Sequence, residues 1–258
     1  MNKNIATALV AAALSVPAGA AMAGETVSEG RAVDARILKV KLSGALNLNI
    51  KQGATPSLTL HGDKELLSKV SVSQSGDTLT IDTDTRNSKW NFGGRDKNEL
   101  RAELTLPNLS EFVSNGVGSS EVKGFSGNDV KVILDGAGSV IVSSNYKNVI
   151  ARLGGVGSMT LNSGDADNVD LNMRGAGQIS VNGNAKLLKA NLGGVGSLDA
   201  KRLQADAVEL DMSGLGGASV YAKTSANLKL SGLGSATVYG KPANRASTAR
   251  GLGSVSWQ

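Results

Sequence analysis

Apolar and polar residues alternate with a period of two along almost the whole chain after its first 36 residues. In the first half the apolar positions form short runs: Val40 and Leu42; Leu46, Leu48 and Ile50; Leu58 and Leu60; Val70 and Val72; Leu79 and Ile81; Leu104 and Leu106. Because side chains alternate between the two faces of a strand, these runs predict half-buried β-strands. Residues 63–69 predict one short helical turn, and residues 84–97, which contain Gly93-Gly94, predict an excursion loop. No longer helix is predicted, so the sequence indicates an all-β protein.

In the second half, a pair of glycines separated by one residue recurs at a nearly constant spacing. The first glycines of successive pairs are 18 to 20 residues apart. The pairs are Gly116 and Gly118, Gly136 and Gly138, Gly155 and Gly157, Gly175 and Gly177, Gly194 and Gly196, Gly214 and Gly216, Gly232 and Gly234, and Gly251 and Gly253. A fixed period of this size is typical of stacked repeats. We therefore interpret the glycines as structural corners and not as a phosphate-binding loop, which would require a helix after them.

Apolar residues keep even offsets from the first glycine of each pair. Around Gly155, for example, Leu153 lies two residues before it, and Met159 and Leu161 lie four and six residues after it. Even offsets place these side chains and both glycines on one face of a strand, which we predict to be the interior. A glycine on that face predicts a tight corner that has no room for a side chain.

Stacking one repeat on the next would bury the apolar face that a single repeat leaves exposed. The sequence therefore predicts a parallel β-helix of right-handed sense, with about eight rungs over residues 111–258, where a rung is one full coil of the chain. Residues 37–110 form a region of less regular strands. An antiparallel sandwich is the competing architecture, and it suits that first region better than the second.

The first residues have the features of an export signal. Lys3 precedes a mostly apolar run over residues 5–16, and Ala21-Met22-Ala23 matches a small-x-small cleavage site. We expect residues 1–23 to be removed and residues 24–36 to form a loose polar leader, with no transmembrane segment in the mature chain. The signal predicts a protein of the periplasm or the cell surface.

Composition limits the chemistry. The chain has 27 Lys or Arg against 22 Asp or Glu, a net charge of +5, but no basic block, so we expect no nucleic-acid partner. It has no cysteine and a single histidine, His61, at a predicted turn. These counts exclude ordinary zinc or iron sites and histidine-dependent serine triads, and we expect no catalytic, metal-binding or cofactor-binding residue. Asp165, Asp167 and Asp170 share one loop, where we prefer solvated carboxylates to a calcium site.

Three features resemble the auto-transporter adhesin head GIN domain family of exported bacterial proteins. They are LSGALNLNIKQG from residue 42, LTLPNLSEFVSNGVGSSEV from residue 104, and the run of G-x-G-S repeats. The resemblance covers about residues 36–258. It implies a protein of unknown biochemical activity that has no catalytic motif to transfer.

Outward-facing columns are the candidate binding surfaces. Serine occupies most positions three residues after the first glycine, and we interpret that ladder as solvating the corner. The residues between paired glycines are all aliphatic. We expect the bend to turn them inward, because an exposed apolar stripe is costly in a soluble protein. If they faced outward, they would mark an interface. Tyr221 and Tyr239 occupy one column on adjacent rungs, seven residues after their glycines, and are the candidate ligand contacts.

These patterns predict a non-enzymatic exported β-helix for adhesion, or for binding a glycan, a matrix protein or another envelope component, and leave oligomerisation open. The alternative is a polysaccharide-acting enzyme, which would need carboxylates converging on one exposed face. No acidic pair occupies neighbouring rungs in the column three residues before the glycines, so such an enzyme would depend on loop residues. Trp257 lies six residues after Gly251, and we expect it to point inward as a lid on the last rung.

Overall fold

The computed structural model describes residues 26–83 and 100–258 of the chain. The predicted export signal and the predicted loop over residues 84–97 lie outside these ranges. The strands are β1 (Thr26–Arg31), β2 (Lys39–Leu42), β3 (Asn47–Gln52), β4 (Ser57–Asp63), β5 (Val70–Ser75), β6 (Thr78–Thr83), β7 (Arg101–Leu106), β8 (Glu111–Ser114), β9 (Val117–Leu134), β10 (Ala137–Leu153), β11 (Val156–Met173), β12 (Ala176–Leu192), β13 (Val195–Met212), β14 (Leu215–Leu230), β15 (Leu233–Tyr239), β16 (Asn244–Ala249) and β17 (Ser254–Trp257). A short helix, α1 (Lys64–Leu67), lies at the predicted helical turn.

From β9 onward each long strand makes one coil and pairs in parallel with the strands one rung before and after it. Val140 on β10, for example, lies beside Met159 on β11, which in turn lies beside Ile179 on β12. Register shifts between Ser143 and Asn148 mark the bend in the middle of β10. The parallel β-helix is therefore confirmed. It has about seven turns from residue 111, because the last glycine pair belongs to an incomplete final rung.

The core is the column of side chains at the predicted even offsets. Val140, Val142, Ala151 and Leu153 are each buried, as are their counterparts on the other rungs as far as β15; on the last rung the counterparts on β16 are exposed and those on β17 are half-buried. Ala166, in the bend of β11, also lies within this core, although its offset from the first glycine of its rung is odd. Period-two alternation therefore located the interior of the strands but not the interior of the bends.

Two irregular rungs extend the parallel stack into the first half of the chain. Val40 on β2 pairs with Phe112 on β8, and β3 pairs in parallel with β9. On their other side, β2 pairs in parallel with β6, and β3 pairs in parallel with β7. Among the described strands, antiparallel pairing joins β1 to β4, β4 to β7 and β5 to β6. The first half therefore continues the coil and closes its N-terminal end with antiparallel strands.

Residues 26–31 form a strand where the sequence predicted a loose leader. β1 runs antiparallel to β4, from Thr26 opposite Asp63 to Arg31 opposite Leu58. The pairing uses backbone groups on the free edge of β4, so it needs no apolar alternation in β1. His61 consequently lies within β4 and not in a turn, with its Nδ1 atom 2.8 Å from the Ser28 hydroxyl oxygen.

Candidate functional site

The corner glycines of successive rungs stack so closely that no side chain fits between them. A Cβ atom added to Gly155 would lie 1.9 Å from the carbonyl oxygen of Gly136. One added to Gly157 would lie 1.8 Å from the carbonyl oxygen of Gly138, and the φ of +149° at Gly157 itself favours glycine. The obstruction is the backbone of the neighbouring rung along the stack, whereas the sequence placed these glycines against the packed interior.

The residues between the paired glycines face solvent, so the predicted inward rotation is wrong. Exposed fractions of the valines and leucines run from 43% at Val117 to 86% at Leu252. The amide of Val156 donates to the carbonyl oxygen of Gly136 at 3.0 Å, and the same bond recurs along the stack, so the corner backbone faces its neighbouring rungs and the side chain points outward. We name this set the corner stripe: Val117, Ala137, Val156, Ala176, Val195, Leu215, Leu233 and Leu252.

A shallow trough of about 760 Å³ runs beside the corner stripe, from Gly154 to Leu233. Its floor consists largely of glycine backbone, and its wall consists of members of the corner stripe. Arg174 is the one charged side chain among the residues that line it. This surface is apolar, straight and open to solvent.

The predicted tyrosine pair lies near the C-terminal end of the β-helix. Tyr221 and Tyr239 are register partners on β14 and β15, and both are half-buried. With Lys201, Gly240, Lys241 and Gln258 they line a depression of about 570 Å³. The structure thus brings two aromatic rings and two ammonium groups to one concave site.

Part of this site was accessible to sequence reasoning. Lys201 shares with the tyrosines the offset of seven residues from a first glycine, which could have identified it. Gln258 has the same offset from Gly251, so it could have been identified in the same way. Lys241 has no such signal, because it reaches the site from the turn after β15. Lys241 has a φ of +50°, an uncommon conformation for a residue with a side chain, between Gly240 and Pro242.

Polar ladders that the sequence analysis missed follow the bends of the coil. The Asn162 amide nitrogen donates to the Ser143 hydroxyl at 3.0 Å, and the Asn182 amide nitrogen donates to the Asn162 side-chain oxygen at 2.9 Å. A second ladder joins Asn168 to Asn148, at 2.8 Å. The signal was available, since these residues are spaced by one repeat. Their role is to hold the rungs in register where strand pairing shifts.

Two of the three aspartates considered for calcium have other partners. Asp165 accepts a hydrogen bond from the Asn184 amide nitrogen at 2.7 Å. Asp167 forms a salt bridge of 2.7 Å with Lys186, whose hydrogen bond holds the pKa of that carboxyl below its usual value. Within residues 26–83 and 100–258, no group of three or more His, Cys, Asp or Glu side chains is placed to hold a metal ion.

A carbohydrate-cleaving site would need a pair of carboxylates on neighbouring rungs, which we sought in the outward column three residues before the glycines. Strand register aligns its members as Ile133, Arg152, Asn172, Asn191, Asp211, Lys229 and Thr248. Asp211 is the one carboxylate in this aligned set, so the column offers no pair of carboxylates for acid and base roles.

A family model described as "Putative auto-transporter adhesin, head GIN domain" matches residues 38–177 and 162–242. No curated protein matches the chain. In the described part of the chain, no helix has both the length and the apolar character needed to cross a membrane.

Solved structures share the fold at low sequence identity. A "putative lipid binding protein" from Parabacteroides distasonis has a TM-score of 0.79 at 20% identity, over 91% of this chain and 97% of that chain. A "putative adhesin" from Parabacteroides merdae has a TM-score of 0.74 at 16% identity, and one from Bacteroides fragilis has 0.68 at 18%, each over the same shares of the two chains. These likenesses establish a common architecture.

Proposed function

Because this chain belongs to the auto-transporter adhesin head GIN domain family, we propose that it is an exported, non-enzymatic β-helix that binds an acidic glycan of an envelope or matrix and thereby serves adhesion. The observation that carries this proposal is the depression formed by Tyr221, Tyr239, Lys201 and Lys241. A matrix protein that bears such a glycan would be recognised by the same groups.

The two tyrosines supply the apolar part of the site. Being register partners, they lie about 4.8 Å apart along the stack, with their rings in one column. An aromatic ring offers an apolar face for the C–H groups of a sugar, and its hydroxyl offers a hydrogen bond at the edge. A depression of about 570 Å³ is within the range of small-ligand sites.

The two lysines determine the sign of the ligand's charge. Lys241 forms no salt bridge with any described residue, and Lys201 lies 3.6 Å from Asp199 in an exposed pair that contributes little. Two exposed ammonium groups beside stacked rings favour a sugar that carries a carboxylate, sulfate or phosphate. Attraction between exposed charges is screened by salt, so binding should weaken as ionic strength rises.

Calorimetric titration of the mature protein with matched acidic and neutral oligosaccharides tests the proposal. We expect measurable binding of the acidic forms, a loss of about tenfold or more in the Tyr221→Ala/Tyr239→Ala double variant, and a smaller loss in Lys241→Gln. Lys229→Gln is the matched control, because Lys229 is an exposed lysine of β14 outside the depression. Equal binding of neutral and acidic glycans, or unchanged binding by the tyrosine variant, would contradict the site.

The same incubations separate binding from catalysis. Glycan that is retained without new reducing ends or unsaturated products supports a binding protein, whereas the appearance of either product would identify a polysaccharide-acting enzyme. Export is tested by fractionation of cells and mass determination of the processed chain. We expect it in the periplasm or at the surface, beginning at Gly24.

A further inference from the structure

The corner stripe is a long apolar surface on a chain whose other outward columns are mostly polar. From Val117 to Leu252 it spans seven rung spacings, which is about 34 Å at about 4.8 Å per rung. Continuous exposed apolar surface of this kind marks an interaction site more often than a solvated face. The stripe shares no residue with the tyrosine depression, so a partner of the stripe would bind independently of the glycan.

The spacing of the corner stripe restricts which partners can contact several rungs at once. Amides of Val156 and Val195 each donate to the first glycine of the preceding rung at 3.0 Å, which fixes the side-chain repeat at the rung spacing. These backbone groups are already paired along the stack, so a partner cannot bind there by adding a β-strand. Contact must be made through side chains that repeat with the same period, and a second copy of this chain has that period.

Side-chain size and charge alternate along the surface in a way that fits a second copy. The residue just before each first glycine forms a flank column beside the stripe. Over four rungs, flank and stripe residues pair as Asp135 with Ala137, Gly154 with Val156, Arg174 with Ala176, and Gly193 with Val195. On these four rungs the charged flank residues accompany alanine, and glycine accompanies valine. Neither Asp135 nor Arg174 forms a salt bridge within the described part of the chain.

We propose that the corner stripe joins two copies of this chain as an antiparallel dimer, with a two-fold axis through Val156. This arrangement sets Val156 against its own symmetry mate and places Asp135 of one copy opposite Arg174 of the other, twice. A two-fold interface requires such self-complementarity, since the same surface is used by both copies. Opposite charges at equal distances on either side of Val156 provide it.

The size of the surface sets the expected strength. With its axis at Val156 the dimer overlaps the five rungs from Val117 to Val195, a strip about 19 Å long that offers roughly 250–300 Å² per copy, against the ~800 Å² per partner of a standard stable interface. Exposed ion pairs add little to affinity. The dimer is therefore reversible and depends on protein concentration and salt.

Disulfide cross-linking tests the position of the axis directly, because the chain contains no cysteine. Val156→Cys should form disulfide-linked dimers on mild oxidation, since the two sulfurs meet at the axis. Leu233→Cys is the matched control on the same stripe: it lies four rungs from the axis, so its two copies are roughly 38 Å apart. Ile141→Cys, on an outward face of β10 and 43% exposed, controls for random collision. Cross-linking of Leu233→Cys or Ile141→Cys as efficient as that of Val156→Cys overturns the proposal.

Analytical ultracentrifugation of the mature protein over a concentration series provides the second test. We expect Val156→Asp to weaken dimerisation at least tenfold, Asp135→Arg and Arg174→Asp each to weaken it, and the Asp135→Arg/Arg174→Asp exchange to restore it. A wild-type protein that stays monomeric to about 1 mM, where millimolar association would be visible, or an exchange that restores nothing, rejects the dimer. A monomer whose corner-stripe variants lose binding to phosphatidylcholine vesicles would instead assign the stripe to lipid.

Discussion

At the residue scale, neighbouring positions of one corner have opposite requirements. A Cβ atom added to Gly194 would lie 2.0 Å from the carbonyl oxygen of Gly175, so this position admits no side chain. Val195, the next residue, points to solvent and is not constrained by the stack. The difference arises because the backbone at Gly194 directs its missing side chain along the stack, whereas at Val195 it directs the side chain away from it.

Gly194→Val should therefore destabilise the protein strongly. Forcing a side chain against fixed backbone displaces the rungs, which typically costs about 1–3 kcal/mol or more of unfolding free energy. Denaturant unfolding measures the loss, and Val195→Ala, the neighbouring control, should remain within about 0.5 kcal/mol of wild type. If both variants unfold at the wild-type midpoint, the stacking constraint is wrong.

Tyr146 is a residue-scale feature with a pH signature. Its side chain is buried in the bend of β10, its hydroxyl donates to the backbone carbonyl of Leu109, and burial raises its pKa to about 12. Because this pKa is raised above the unfolded value near 10, the stabilising contribution is complete below about pH 10 and is lost as pH rises through about 12.

Tyr146→Phe should remove that pH dependence. At pH 7 the variant should be less stable by about 1 kcal/mol, because the Leu109 carbonyl loses its partner. The difference between wild type and variant should shrink from pH 10 to 12, when both are measured by urea unfolding. A difference that stays constant over this range would show that the hydroxyl does not titrate with folding.

At the element scale, the bends are held by side-chain ladders and the straight segments by backbone pairing. Pairing between β11 and β12 shifts register between Asn162 and Asp165, where the coil turns. Asn162 bridges three rungs there, since it donates to Ser143 and accepts from Asn182. Identical amides that stack at the strand spacing can each donate and accept along the column.

Asn162→Ala should destabilise the bend by about 1–2 kcal/mol, because it leaves partly buried groups on two neighbouring rungs without partners. Asn172→Ala is the matched control: Asn172 lies on the same strand in an outward column, and its side chain makes no hydrogen bond with a described residue. Thermal unfolding of the two variants gives the comparison. Equal losses of stability in the two variants would mean that the hydrogen bonds of the ladder add nothing to ordinary strand packing.

At the scale of the whole molecule, the two ends of the stack are closed differently. Antiparallel strands β4 and β5 cover the N-terminal rungs. At the other end, Trp257 is paired in register with Val238, is half-buried and packs against the core, as the even offset predicted. Arg245 on β16 lies over its ring, 5.4 Å from the centroid. A single aromatic side chain thus covers part of the last layer.

Trp257→Ser should lower stability by about 2 kcal/mol, less than for a fully buried tryptophan, and should expose the last rung to end-to-end association. Calorimetry and sedimentation measure the two effects, and Trp257→Phe should retain most of the covering. Placing the substitution in a Val156→Asp chain separates association through the end from association through the corner stripe. Wild-type melting without added oligomer would show that Trp257 covers nothing.

The sequence by itself determined the parallel stack and its core. Even offsets and a repeat of 18 to 20 residues specify which side chains point inward and which rungs are adjacent, because strand alternation and rung spacing are local and periodic. The tyrosine column follows from the same arithmetic.

Only the tertiary structure decided the features that depend on contacts between distant segments. The two N-terminal rungs combine β2 and β3 with β6 to β9 out of chain order, and β1 joins the free edge of β4 by antiparallel backbone pairing without apolar alternation. The outward direction of the corner stripe and the approach of Lys241 to the tyrosines depend on backbone dihedral angles and turn paths. Hydrophobic patterning does not determine these angles, because valine and leucine occur both at the exposed corner and in the buried core.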